Sequence, residues 1–186
     1  MALLSDLGIK GAMLQMINHG ITTGALFICV GLIYERTHSR EIRDNSALGM
    51  AMPAFVTFFA IFSLASFGFP GTNGFVSELL VLIATFAKYP YLGFVSILGA
   101  ILAAAYMLRL LQKMIWDRST GHGNQHGNSH GGEQVPLRDL DGREAATLAF
   151  LTFFVLWIGF YPMPLLNMMD STVSHLVGQV NAGTGR

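Results

Sequence analysis

The chain has 186 residues, of which 52% are hydrophobic and only 12% charged, with zero formal net charge and a mean hydropathy of +0.50. A water-soluble domain carries about a quarter charged residues, so half that share points to lipid as the solvent. The balanced charge, without a basic stripe, excludes a nucleic-acid role, and the single cysteine, Cys29, excludes a disulfide framework or a CxxC motif.

Met1–Lys10 carries Asp6 and lacks a basic region ahead of an apolar core, so it does not read as a cleavable signal. Four runs follow that hold no Asp, Glu, Lys or Arg and are each roughly membrane-spanning: Gly11–Tyr34, Ala51–Phe69, Tyr91–Leu108 and Ala145–Leu166. In the first, Gln15, Asn18, His19 and Thr22 fall at i, i+3, i+4 and i+7, one face of a helix. Such a polar stripe is costly against lipid and is expected to face other helices or trapped water. For His19, a proton relay and a hydrogen-bonded packing residue both remain open. A haem ligand has little support, because no second histidine lies in a span.

The charged loop Glu35–Asn45 comes next, and then the stretch Met50–Lys88. It consists of an apolar segment, a breaker cluster (Pro70, Gly71, Thr72, Asn73, Gly74) and a second apolar segment bearing Glu78. As one straight helix it would be about 60 Å long, roughly twice a bilayer's hydrocarbon core. It must fold back or break inside the membrane. Beyond it, Tyr91–Leu108 leads into Arg109, Lys113, Trp116 and Arg118, an interfacial anchor. Ser119–Glu133 carries His122, His126 and His130 every four residues, yet its glycines and lack of helix-forming context make it a linker rather than a metal site. A last span reaches Tyr161-Pro162, and the tail to Arg186 is mildly amphipathic.

Positive charge chooses between the two fates of Met50–Lys88. With a single broken crossing, Arg36, Arg40, Arg43, Arg109, Lys113, Arg118, Arg138 and Arg143 share one side, and Lys10, Lys88 and Arg186 the other. With two crossings the split is five against six, no bias at all. The expected fold is therefore all-α: one polytopic membrane domain over 1–186, with four spans at about 11–34, 51–88 (broken at 70–74), 91–114 and 144–166. Loops 35–50 and 115–143 are then cytoplasmic, and both chain ends face outward. The non-helical residues would lie at membrane depth, with Glu78 near the N-terminus of the second half-helix. There the helix dipole favours its charge and low dielectric opposes it. Broken helices at mid-membrane recur as ion sites in transporters, and an ionisable residue in a membrane is functional by default. A salt-bridged structural role for Glu78 is the weaker alternative.

Three stretches carry a family resemblance: GAMLQMINHGITTGALFICVGLIYERTHSREI, MPAFVTFFAIFSLASFGFPGTNGFVSELLVL, and AAYMLRLLQKMIW with DLDGRE. They resemble the chain M (chain 4) subunits of proton-pumping NADH-quinone oxidoreductase, respiratory complex I, with QM-x-x-HG and YERTHSR separating them from chains L and N. The resemblance covers nearly the whole sequence except the His-rich loop. It implies that Glu78 is the membrane carboxylate at the outer end of a proton path, that His19 belongs to a polar axis across the midplane, and that Gly71, Thr72 and Asn73 form the helix break. It also implies no cofactor on this chain, with NADH, FMN, iron–sulfur clusters and quinone on partner subunits. The implied partners are chains L and N and the lipid bilayer, and the implied location is a bacterial inner membrane. Family members are built as two inverted repeats with about fourteen spans, and this chain matches the last four. The expectation is a C-terminal portion of a longer reading frame, the alternative being a second polypeptide that supplies the rest. Two other functions compete: a subunit of a multi-subunit cation/proton antiporter or membrane-bound hydrogenase of the same fold, and a membrane assembly protein without transport.

Overall fold

The computed structural model describes residues 5–38, 48–116 and 138–183. Arg40, Arg43, Arg118, Arg186 and the histidines of the 119–133 linker lie outside the described residues. Those described form an all-helical bundle: α1 (Asp6–Thr37), α2 (Leu48–Ala51), α3 (Pro53–Ser66), α4 (Asn73–Lys88), α5 (Pro90–Trp116), α6 (Gly142–Phe160) and α7 (Met163–Gly183). Of these, α1, α5 and α6 are long and apolar enough to cross a bilayer, and α3 is a shorter apolar helix.

The helix α1 is the axis of the bundle. The Ser5 hydroxyl oxygen accepts from the Gly8 N–H at 3.1 Å, and Asp6 stands in the first turn, where a negative charge suits the dipole. His38 closes the other end in the left-handed region, its N–H donating to the Tyr34 carbonyl. At 32 residues the helix is about 48 Å long.

Helices α3 and α4 follow one another along α1 in the opposite sense. Arg36 of α1 binds the Asp139 carbonyl, and the Asp139 carboxylate binds the N-terminus of α3. Farther back along α1, Thr22 and Asn18 meet Asn73 and Ser77, and Gly11 lies against Leu80 and Val81 of α4. As α1 is followed from residue 36 to residue 11, its partner therefore advances from residue 54 to residue 81. The hydrophobic core fills the Arg36 end of this arrangement. Ala25, Cys29, Leu32 and Ile33 interlock there with Phe55, Phe59 and Phe62, and Leu111, Met114, Leu148 and Val155 close it. Most of α5 beyond that contact is exposed.

Two boundaries differ from the sequence reading. The helix interruption covers 67–72, not 70–74, so Asn73 and Gly74 already belong to the first turn of α4. A buried Asn73 side chain that accepts from its neighbour's N–H lets the helix start there. The final apolar run ends at Phe160 instead of continuing to 166. Pro162 has no N–H to donate and biases Tyr161 away from helical angles. The tail then re-forms as α7, which buries Met169 and Val173 and ties Asp170 to Lys10 of α1 by an ion pair.

Candidate functional site

The chemistry-bearing residues gather at the α3–α4 interruption. Gly68 and Gly71 have φ of +70° and +93°, the left-handed region in which a side chain is strained. The freed backbone groups find local partners. Phe69 N–H donates to the Leu64 carbonyl at 3.1 Å, and the Phe69 carbonyl accepts from both the N–H and the hydroxyl of Thr72, at 3.0 and 2.7 Å. A neighbouring helix covers the outer side. Gly159 of α6 lies so close that a Cβ there would meet the Gly71 carbonyl oxygen and come within 2.6 Å of the Thr72 carbonyl carbon. Phe160 rests against Gly71. Irregular backbone inside a membrane protein survives only when it is covered in this way or lines a wet cavity.

On the inner side, α1 supplies amides. The Asn18 side-chain nitrogen donates to the Asn73 carbonyl at 2.7 Å and to the Ser77 hydroxyl at 3.1 Å. Ser77 hydrogen-bonds the Gln15 side-chain oxygen, and Gln15 and Glu78 line the same cavity. Thr22 reaches the Asn73 side chain at 3.4 Å. Asn18, Asn73 and Ser77 are fully buried, while Glu78 is half-buried and abuts the Gly68 backbone. The carboxylate faces a cavity of about 380 Å³ between α1, α4 and α5. Among the described residues no cation pairs with this carboxylate, and a carboxylate without a fixed counter-charge can release and take up a proton.

Of the residues singled out in the sequence, Gln15, Asn18, Thr22, Thr72, Asn73, Gly74 and Glu78 come together here with Gly71, and Pro70 lies in the interruption. His19 does not join them. Its ring is exposed and meets the Thr23 hydroxyl at 3.2 Å. The polar stripe spans roughly 100° of helix circumference, and α4 settles over the Asn18–Thr22 side of it. His19, at the opposite edge, is left facing outward. Sequence reasoning missed Gly68 and Gly159. The only signal for them is a glycine next to an aromatic residue and a breaker, which does not tell what the missing side chain makes room for.

A second polar cluster stands at the C-terminal end of α1. Arg36 donates to the Glu144 carboxylate at 2.6 Å, to the Arg138 carbonyl at 2.8 Å and to the carbonyls of Leu32 and Asp139. Asp139 caps α3 by accepting from the N–H groups of Ala54 and Phe55, because Met52 at the cap position has no side-chain acceptor. Burial alone would raise the Asp139 carboxyl, but the backbone donors of Ala54, Leu140 and Phe55, with Arg36 nearby, outweigh it and hold the group below the usual carboxylate range. Among the described residues no three His, Cys, Asp or Glu side chains converge as metal ligands would.

A helical membrane bundle with an interrupted helix and a carboxylate at the interruption defines a class: the antiporter-like proteins. Residues 1–103 match the family model described as NADH:quinone oxidoreductase/Mrp antiporter, TM, and the chain belongs to that family. It is 35% identical over 178 residues to NADH-quinone oxidoreductase subunit M of Rhodobacter capsulatus, covering 96% of this chain and 33% of that protein. The fold is also similar to a chain of respiratory complex I from Thermus thermophilus, with a TM-score of 0.71 and 27% identity over 92% of this chain and 34% of that one. A chain of the Mrp complex from Dietzia has the same fold, with a TM-score of 0.76 at 20% identity, covering 94% and 39%. The chain thus spans about a third of the length of the curated relative it matches.

Proposed function

We propose that this chain is part of a proton-translocating membrane subunit of NADH-quinone oxidoreductase, and that Glu78 is the group that gains and loses the proton. The observation that carries the reading is the placement of Glu78: in the second turn of α4, against the non-helical Gly68 and open to a cavity that Gln15 also lines. Its membrane placement follows from charge and geometry together. The 53–88 stretch runs along α1 once, which fits a single broken crossing, four crossings in all, and basic loops 35–50 and 115–143 on the cytoplasmic side. The polar seam Gln15, Asn18 and Thr22 holds α4 in register beneath the acid. His19, on the outward face of α1, would act with groups beyond this chain.

Electron transfer would take place elsewhere in the complex. NADH, FMN, iron–sulfur clusters and quinone would sit on partner subunits, with no redox site on this chain, and antiporter-like chains L and N would be its membrane neighbours in a bacterial inner membrane. Glu78→Gln in the assembled complex is the direct test. Proton translocation is expected to be lost while the amount of complex on native gels is unchanged. Unchanged translocation would leave only a structural or assembly role. The fold shared with the Dietzia Mrp chain favours a second reading, a cation/proton antiporter subunit. Co-purification with flavin and iron–sulfur subunits separates the two.

A further inference from the structure

The hydrogen bonds that join Gln15 to Ser77 can be satisfied in two ways. The Ser77 hydroxyl is buried and has one hydrogen but two places to put it: the Gln15 side-chain oxygen, and the Gly74 carbonyl at 3.0 Å. The Asn18 side-chain nitrogen takes one of its two lone pairs, at 3.1 Å. With the hydrogen on the Gln15 oxygen, Gln15 has its NH2 left for the cavity that it lines together with Glu78. The hydroxyls on that wall, Ser66, Thr85 and Ser96, donate to carbonyls of their own helices, so none of them offers the carboxylate a hydrogen. Among the described residues no other ionisable group lines the cavity.

An ionised carboxylate only accepts, so it needs a donor such as that NH2. A protonated one carries an O–H and needs an acceptor. The two ends of an amide are nearly equal in size and its last torsion is two-fold, so a half-turn about χ3 exchanges them in place. The Gln15 oxygen then faces the cavity, its NH2 takes the second lone pair of Ser77, and the Ser77 hydrogen rotates to the Gly74 carbonyl. Neither pattern strands a donor, and no proton leaves Ser77 or Gln15 in passing between them.

We propose that Gln15 is a positioning residue for Glu78, an amide that offers NH2 to the ionised carboxylate and turns over to offer its oxygen to the protonated one, with the Ser77 hydroxyl as the pivot. The proposal rests on the proton-transfer reading above, and it adds the neighbour that follows the charge of the acid.

The test is the pH profile of proton translocation by the assembled complex, with Gln15→Met, Ser77→Ala and the double variant beside the unsubstituted protein. Methionine keeps the length of glutamine without its donor or acceptor. A hydrogen bond to a charged group is stronger than one to a neutral group, so the ionised form of Glu78 loses more. The acid limb of the profile, where Glu78 keeps its proton, is expected to move up by about one pH unit in Gln15→Met. Ser77→Ala is expected to move it in the same direction by less, and the double variant no farther than Gln15→Met, because the two side chains act as one unit. A lower rate at every pH with an unmoved limb assigns Gln15 to packing and overturns the proposal. Shifts that add in the double variant overturn the part given to Ser77. Loss of translocation in Glu78→Gln with an unmoved limb in Gln15→Met overturns this proposal alone, whereas normal translocation by Glu78→Gln overturns the proton reading beneath it. If Gln15→Met does not assemble, the limb of Ser77→Ala decides, and an unmoved one overturns the proposal.

Discussion

The middle of α1 and its Arg36 end both carry polar groups among apolar helices, and they are finished differently. At the Arg36 end Arg36, Asp139 and Glu144 each have an opposite charge or backbone partners. Arg36 holds Glu144 and three carbonyls, and Asp139 accepts from three N–H groups. At the α3–α4 interruption Gly68, Phe69 and Thr72 make local backbone bonds, but Glu78 has no ion pair among the described residues and has a cavity in front of it. Saturated polar clusters fix a structure, because moving any member strands another. An acid left with spare capacity can change its proton without dismantling what surrounds it. The contrast assigns the Arg36 cluster to architecture and the interruption to chemistry.

The largest structural effect should come from closing the gap over the interruption. Gly159→Val would drive a branched side chain into the Gly71–Thr72 backbone, where nothing flexible can yield. A loss of about 3 kcal/mol is expected from such overpacking, read as a lower midpoint of thermal unfolding in detergent. A midpoint like that of the unsubstituted protein would mean that α6 does not clamp the break.

Arg36→Ala should cost about 2 kcal/mol, because it leaves the half-buried Glu144 without its counter-charge. The decisive comparison is with Glu78→Gln, which should leave the unfolding midpoint nearly unchanged. If both shift it equally, the division into architecture and chemistry collapses.

Asp139→Asn should cost about 1 kcal/mol, the loss of a helix cap, and the effect should depend on pH. The Asp139 carboxyl is held low in the folded state, so its stabilisation is fully present above the ordinary carboxylate value of about 4. It is lost as pH falls through the lower folded value. Unfolding midpoints of the two proteins measured down the acid limb should therefore converge. The smallest change belongs to His19→Ala. It removes an exposed ring from an outward face and should leave stability within about 0.5 kcal/mol.

Much of the site was legible in the sequence because it rests on local rules. Pro, Gly and Asn between two apolar runs announce an interruption, and a lone Glu in an apolar segment announces a function. Gln15, Asn18 and Thr22 share a helical face that is too polar for lipid. The rest depends on tertiary placement. Nothing local says that Asp139 caps a helix that begins 86 residues earlier, at Pro53, or that α4 settles on Asn18 and turns His19 outward. The role of Gly159 exists only once α6 lies on the break. Helix α7 was hidden because its apolar positions are diluted by Asn167, Asp170, Ser171 and Ser174, and it takes its place by packing on α1.

The contact between Gly159 and Gly71 has a mechanical side. The chain bends at 67–72 and again at 161–162, and Gly159 and Phe160 press those two bends together. The bundle thus has a shared crease. A push that straightens one kinked rod must slide its backbone across the other, so the halves on either side of the crease flex as a pair.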